Sequence, residues 1–412
     1  MVQRKFLTTV TDNFRGNELV IAMFANTAWS IYNFRLGLIR ALQAEGNTIL
    51  VVVPPDKKYV GLLQKIGCEV TVTPMDNMGT NLLRDGMLFL RYLQYIYKAK
   101  PDLCILFTIK PVIYGSIASW INRTRSISVI TGLGTAFLAD NFLTRVVENL
   151  YRLALSCSNR VFFLNSEDKH LFCSKGIIQD SKFITTIPGE GVDLSVFKKE
   201  GIETIIRKNV TRVCVFPGLS IERFKSDHND GFSFILVARM IRDKGVVEFV
   251  DAARILKQQF PAVKFKLLGY IGVQNRGAIS QKEIDNWVRE GVVEYLGSAS
   301  DVRPFLKNSD CVVLPSYREG ISRTLLEAAA MSLPIITTNV PGCRDVVEDG
   351  VNGFLCASHS AHDLADKLKI LLGLNAEQRF EMGRRGREKV ECEFDERIVI
   401  EKYREAILSI FE

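Results

Sequence analysis

Two glutamates eight residues apart, Glu319 and Glu327, stand in the stretch PSYREGISRTLLEAAAMSLPIITT, residues 315–338. A buried strand ends at Pro315, a polar loop carries Glu319 and Gly320, and a helix opens near Arg323 or Thr324 with Glu327 in its first turn. Fully helical, eight residues would span roughly 12 Å at about 1.5 Å each. That span suits a ligand with two hydroxyl-bearing rings joined by a linker. Between the carboxylates, the backbone of Gly320, Ile321, Ser322, Arg323 and Thr324 would bring helix N-terminal N–H groups and about half a positive charge, which suits a phosphate linker. A sugar nucleotide is such a ligand. Taken alone, the pair fits equally a turn cap at Glu319 and a solvated helix face at Glu327.

Two basic features lie in the first half. Arg35 stands one helical turn beyond Ile31, after the first strand. Facing a ligand it would hold an acceptor diphosphate; facing water it is a solvated helix-face arginine. The segment TNLLRDGMLFLRYLQYIYKAKP, residues 80–101, is a long amphipathic helix carrying Arg84, Arg91, Lys98 and Lys100. It would either lie on an anionic membrane surface, each basic residue contributing about 1 kcal/mol, or pack as a core helix with its charges in water.

The elements that must position these residues belong to a large globular chain. Of 412 residues, 47% are hydrophobic and 24% charged, which excludes a disordered or collagen-like chain. The net charge of +7 is uneven: residues 1–215 hold 26 Lys and Arg against 17 Asp and Glu, and the remainder 27 against 29. An anionic substrate or an anionic membrane face fits that excess. Nucleic acid does not, because there is no arginine-rich run, recognition helix or zinc-finger pattern. The nine cysteines contain no C-x-x-C and mostly sit in apolar runs such as DLCILF and DCVVLP, as reduced core thiols of a cytoplasmic protein do. No D-x-D pattern occurs, so no metal is expected. No run of 18 apolar residues would cross a membrane. The N-terminal stretch reads as a polar lead before the first strand and not as a secretory signal.

Strands and helices alternate almost throughout. Solid apolar runs of strand length at 19–24, 48–53, 102–107 and 160–165, with the strands CEVTVTP (68–74) and ISVIT (127–131) between them, are separated by helices at 31–46, 59–67, 80–101, 112–123 and 142–157. The series pauses at about 201–231. It resumes with FSFILVAR (232–239), VKFKLLG (263–269), VVEYLG (292–297), CVVLPS (311–316) and PIITT (334–338), and helices at 360–373, 376–389 and 394–411 close the chain. This predicts two doubly wound parallel α/β domains in tandem, whose ligands sit beyond the carboxyl ends of the strands.

The stretch from Glu319 to Glu327, with AAAMSLPIITT and PGCRDVVEDGVNGF after it, resembles the donor-binding motif of glycosyltransferase family 4, the retaining GT-B enzymes with an E-x7-E pattern. Upstream, VARMIRDKG (237–245) resembles that family's phosphate-contacting loop, and YLGSASDVRPFLKNSDCVVLPS (295–316) its base-binding edge. FLNSEDKHLF and IPGEGVDLSVF (187–197) resemble the end of its acceptor domain. SIYNFR, TIKPVIYGSIAS and TGLGTAF resemble bacterial enzymes that build lipid-linked surface polysaccharides and oligosaccharides. The resemblance covers nearly the whole chain. It implies two Rossmann-like domains facing a cleft: an acceptor domain at 1–215, a donor domain at 216–393, and a helix at 394–412 crossing back to the first. It implies a catalytic role for Glu319, Arg239 and Lys244, with Glu319 on the donor-sugar hydroxyls and the two cations on the diphosphate. Glu327 would hold the ribose and Leu296 would lie in the donor site. The partners implied are a UDP-sugar and a saccharide on a polyprenyl diphosphate, at the inner face of the membrane.

The chain also departs from that pattern. Many relatives carry a Gly-Gly pair after the first strand, where this one reads ANTAWSIYNFR. Many carry a histidine in the first domain that touches the donor sugar, where this chain has TIKP and TGLGT, leaving Lys110 or the Gly132–Gly134 backbone in that neighbourhood. GLGTAF follows the fifth strand and does not make a dinucleotide site. A UDP-N-acetylglucosamine 2-epimerase and a non-catalytic sugar-nucleotide-binding subunit are the other readings. The E-x7-E spacing and basic first half weigh against the epimerase, and the intact set of Arg239, Lys244, Glu319 and Glu327 against the subunit.

Overall fold

A computed structural model describes residues 18–76, 81–132, 142–179, 181, 183–198, 231–273, 275 and 277–412. The chain divides into two units, one formed by the residues up to Glu190 together with Val399–Glu412, the other by Gly191–Ile398.

The first unit is a seven-stranded sheet in the order β3-β2-β1-β4-β5-β6-β7. Its strands are β1 (Val20–Phe24), β2 (Thr48–Val53), β3 (Glu69–Val72), β4 (Leu103–Phe107), β5 (Arg125–Ile130), β6 (Arg160–Phe163) and β7 (Ile184–Thr186). The helices are α1 (Ala28–Ala44), α2 (Lys57–Lys65), α3 (Leu82–Ala99), α4 (Ser116–Ile121), α5 (Phe142–Ser156) and α6 (Ser166–Ser174). Every pairing is parallel, with Ile21 opposite Ile49 on one side and Leu103 on the other. Helices cover both faces of such a sheet, so central strands are apolar at every position: all five residues of β4 are buried. Fully burying each large apolar side chain contributes about 1.5–3 kcal/mol.

The second unit repeats the plan with six strands, in the order β10-β9-β8-β11-β12-β13. They are β8 (Ser233–Val237), β9 (Lys264–Leu268), β10 (Glu294–Tyr295), β11 (Cys311–Leu314), β12 (Ile335–Thr338) and β13 (Gly353–Cys356). The helices are α7 (Val246–Lys257), α8 (Gln281–Arg289), α9 (Arg303–Lys307), α10 (Arg323–Ala330), α11 (Ala361–Gly373) and α12 (Ala376–Glu393); the last helix, α13 (Glu396–Phe411), belongs to the first unit from Val399 onward. In both sheets the chain grows one way from its first strand and then returns to grow the other way. The order therefore reverses between β1 and β4, and between β8 and β11. Ligands of open α/β sheets bind outside the carboxyl ends of strands at such a reversal.

Three elements were not apparent from the pattern of residues: α6, β7 and β13. α6 and β7 mix polar with apolar residues and β13 is only four residues long, so no period shows. The segment 112–123, which reads as one helix, is a π-turn at Pro111–Gly115 followed by α4. The expected domain boundary at 215/216 lies outside the described residues. Residues 191–198, expected in the first domain, pack in the second unit, where Val192 and Phe197 join the core beneath α10. The end of α13 packs in the first unit: Tyr403 meets Phe162 with centroids 4.9 Å apart, Arg404 pairs with Glu45, and Arg160 donates to Ser409 Oγ at 2.8 Å.

Candidate active site

The loops after β8 and β11 carry Arg239, Lys244 and Glu319, with Glu327 in the helix that follows, and they bring Lys244 onto Glu319 at the reversal point of the second sheet. After β8 the chain passes Arg239 and makes one 3₁₀ turn, Arg242–Lys244, closed by Gly245. After β11 comes the loop 315–322, which leads into α10. The two loops are latched by backbone. Tyr317 N donates to the Asp243 carbonyl at 2.9 Å and Ser316 Oγ donates to it at 3.1 Å. The Tyr317 hydroxyl donates to Glu248 Oε1 at 2.7 Å. Gly245 has φ 70°, and a Cβ there would stand 2.0 Å from the Pro315 carbonyl oxygen. The Lys-Gly order of the first loop follows from that approach, because only glycine lets the turn close against the second loop.

This latch places the Lys244 ammonium on Glu319 Oε1, an ion pair between residues 75 apart in the chain. Both side chains are mostly covered, at 19% and 12% exposed. A third loop, after β12, supports Glu319 from behind. Glu319 N donates to the Pro341 carbonyl at 3.2 Å, and Ser322 N to the Gly342 carbonyl at 3.2 Å. Gly342 has φ 75°, and a Cβ there would lie 2.5 Å from both the Glu319 and Gly320 carbonyl oxygens. Asp345 accepts from Gly342 N at 2.7 Å. A Pro-Gly dipeptide such as 341–342 is a turn signal, but nothing in the sequence joins it to the glutamate loop.

The helix that follows opens without a side-chain cap. Ser322 occupies the N-cap position of α10 yet makes no capping bond, and α7 after Gly245 has none either. Several other helices are capped by a side chain, Thr27 on α1, Asp56 on α2 and Ser280 with a capping box on α8, whereas the short α4 and α9 are not. An uncapped N-terminus leaves backbone donors and the positive end of the helix dipole for an anion. Arg239 is exposed at the end of β8, and no side-chain partner is found for it among the described residues. The site thus sets a lysine and an uncapped helix start beside Glu319, with Arg239 exposed on the same loop as the lysine.

One turn into α10, Glu327 Oε1 accepts from Arg323 Nε at 2.9 Å. Burial pushes the Glu327 carboxyl up; Arg323 partly offsets this, and Asp301 adds to it. Thr324 holds α10 onto the sheet by donating its hydroxyl to the Val237 carbonyl at 3.1 Å. Ile321 and Leu296 are half-buried and pack against the same apolar core. Gly320 belongs to the wall made with Gly342. Cys343, beneath this wall, has its thiol pushed up to about 12 by burial, so it is no nucleophile at neutral pH.

In the first unit, Arg35 is not solvated. It is 3% exposed, pairs with Glu190, donates to the Ser30 carbonyl at 3.0 Å and stacks over the Phe107 ring at 3.9 Å. Lys110 follows β4 and pairs with Asp85 of α3 at 2.5 Å, while the Tyr114 hydroxyl donates to the other Asp85 oxygen at 3.1 Å. Helix α3 buries one face and leaves apolar residues exposed on the other. Leu88, Tyr92 and Ile96 lie in the core, while Leu83, Met87, Leu90 and Tyr97 stand 81%, 49%, 60% and 70% exposed. Among the described residues, no helix is long and apolar enough to cross a membrane.

Known proteins bear on this geometry. Residues 20–165 match the family described as glycosyl transferase 4-like, and residues 219–389 match glycosyl transferases group 1. The N,N'-diacetylbacillosaminyl-diphospho-undecaprenol alpha-1,3-N-acetylgalactosaminyltransferase of Campylobacter jejuni is 26% identical over 392 residues, covering 93% of this chain and 96% of that protein. The UDP-Gal:alpha-D-GlcNAc-diphosphoundecaprenol alpha-1,3-galactosyltransferase of Escherichia coli is 26% identical, covering 67% of each. Anabaena HepE, crystallised with UDP and glucose, is 20% identical with a TM-score of 0.73, covering 95% of this chain and 100% of that one; it shares the fold. The Lys244–Glu319 loop contact and these matches over both units lead to one conclusion: the chain is a glycosyltransferase of the GT-B fold, glycosyl transferase 4-like in its first unit and of glycosyl transferases group 1 in its second.

Proposed function

We propose that this chain transfers a hexose or N-acetylhexosamine from a UDP-sugar to a saccharide carried on polyprenyl diphosphate, with retention at the anomeric carbon, during assembly of a bacterial surface glycan. The observation that carries the reading is the Lys244–Glu319 pair at the uncapped start of α10, with Glu327 one turn away. The relatives support the substrates. Two are named for sugars on undecaprenyl diphosphate, one of these for a UDP-galactose donor, and HepE is crystallised with UDP.

The residues would divide the work as follows. The bond between the sugar C1 and the diphosphate oxygen breaks, and its electron pair stays on the leaving diphosphate. Arg239, Lys244 and the first-turn N–H groups of α10 take up that charge, so no metal ion is needed. Glu319 holds the donor-sugar hydroxyls and steadies the positive charge growing at C1. The acceptor oxygen bonds to C1 on the face the leaving group vacates, and its proton passes to a leaving phosphate oxygen. Glu327 takes the ribose hydroxyls, and Leu296 with Ile321 lines the nucleoside end. In the first unit, Lys110 lies on the acceptor side and Arg35 holds its framework through Glu190.

The outward face of α3 would seat the enzyme on the cytoplasmic face of the membrane, where its acceptor resides. Leu83, Met87, Leu90 and Tyr97 offer the apolar stripe, and Arg84, Arg91, Lys98 and Lys100 the charge for anionic headgroups. The direct test is transfer from UDP- and GDP-sugars, with EDTA present, to a short polyprenyl-diphosphate-linked N-acetylhexosamine. The new linkage is read by NMR. An α-linked product from a UDP-sugar alone is expected. An inverted product, a GDP requirement or loss of activity in EDTA would each overturn its part of the reading.

A further inference from the structure

The first sheet reverses its strand order between β1 and β4, as the second does between β8 and β11, so its ligand too should lie beyond those two strand ends. The residue there is Thr108, directly after β4. It has φ 72°, a left-handed conformation that a β-branched side chain takes only under strain. Its hydroxyl oxygen is buried and finds no hydrogen-bond partner. The chain then runs into the π-turn Pro111–Gly115, with the Thr108 carbonyl accepting from Val112 N at 3.0 Å. Such turns collect at functional sites because they set side chains that a regular helix would misplace. Either side of this turn is held firmly. Asp85 takes Lys110 at 2.5 Å and the Tyr114 hydroxyl at 3.1 Å, and Arg35 stacks on Phe107 just before it.

Strain, a hydroxyl with no partner and a braced turn at the reversal point are costs that packing alone does not return. We propose that Thr108 is a sugar-binding residue, whose hydroxyl turns from its empty burial to bond a saccharide hydroxyl of the substrate, with Lys110 beside it. The hydroxyl breaks no existing hydrogen bond in making this one. Asp85 is then a positioning residue that keeps Lys110 and Tyr114 in place. This inference rests on the glycosyl-transfer reading.

The test compares wild type, Thr108→Val, Thr108→Ser and Thr108→Gly in the full chain. KM is measured separately for a UDP-N-acetylhexosamine and for an N-acetylhexosamine on short polyprenyl diphosphate. Thermal stabilisation by UDP checks that each variant is folded. Valine keeps shape and strain and loses only the oxygen, and glycine removes the strain as well. Both should raise the acceptor KM about tenfold, the worth of one hydrogen bond, with the donor KM within about twofold. Serine should recover what valine loses. A shift confined to the donor KM would identify the donor sugar as the saccharide bound. Valine and glycine variants that shift neither KM would overturn the inference while transfer by the wild type still stands. A wild type that transfers nothing would remove the glycosyl-transfer reading and this inference with it.

Discussion

Lys244 and Glu319 neutralise one another, and a donor diphosphate must compete for the lysine. Removing the carboxylate charge therefore has two opposite consequences. In Glu319→Gln, UDP alone should bind several-fold more tightly, because Lys244 is released to the phosphates. Transfer should fall by about 10²–10³, since the charge that meets the anomeric centre is gone. Calorimetry with UDP and a rate assay separate the two; weaker UDP binding would show that Lys244 does not reach the diphosphate. Glu327 makes a pH prediction. Its folded pKa is raised by burial, so protonation favours the fold and stability is lost as pH rises through that value. Glu327→Gln does not titrate. The melting temperature of this variant relative to wild type should therefore climb as pH rises from about 4.5 towards 8. A difference that stays flat or falls with pH would mean that Arg323 outweighs the burial.

At the scale of elements, Gly342 and α3 carry the predictions. A Cβ at Gly342 would drive into two carbonyl oxygens of the glutamate loop, at 2.5 Å each, from a φ of 75°. Gly342→Ala should displace Glu319 and lower kcat at least tenfold, while UDP still stabilises the chain; a normal kcat would free the loop from this wall. On α3, changing Arg84, Arg91, Lys98 and Lys100 to Gln removes about 1 kcal/mol of surface attraction each. Flotation with phosphatidylglycerol vesicles should then weaken by two to three orders of magnitude. Undiminished flotation would place the membrane contact elsewhere. Elements were legible in the sequence where burial is two-sided or amphipathic over several turns, as in β4, β11 and α3. The strands β7 and β13 were not, because three or four residues are too few to carry a period. The E-x7-E pair was legible by its spacing. Its partners were not: the Lys244–Glu319 contact and the Gly342 wall join segments distant in the chain, and Arg35, which reads as a helix-face charge, is buried by Phe107 and Glu190 from outside its own helix.

At the scale of the whole molecule, the same sheet order occurs twice, and each copy concentrates unusual chemistry where its order reverses. In the second unit that point holds the Lys244–Glu319 pair, which we propose meets a sugar nucleotide. In the first it holds the braced turn at Thr108. The terminal helix ties its end to the first unit through Tyr403, which is fully buried against Phe162. Tyr403→Ala should cost about 3–5 kcal/mol of stability, as large-to-small changes in a packed core do. Thermal unfolding would show it, and a change under 1 kcal/mol would mean that the helix end is dispensable. The most direct test of the central claim is a crystal structure with an intact UDP-sugar bound. The account predicts the diphosphate at the first turn of α10 within hydrogen-bond distance of Lys244 Nζ, the ribose on Glu327 and the sugar on Glu319. A diphosphate bound away from that turn, with the Lys244–Glu319 pair undisturbed, would contradict it.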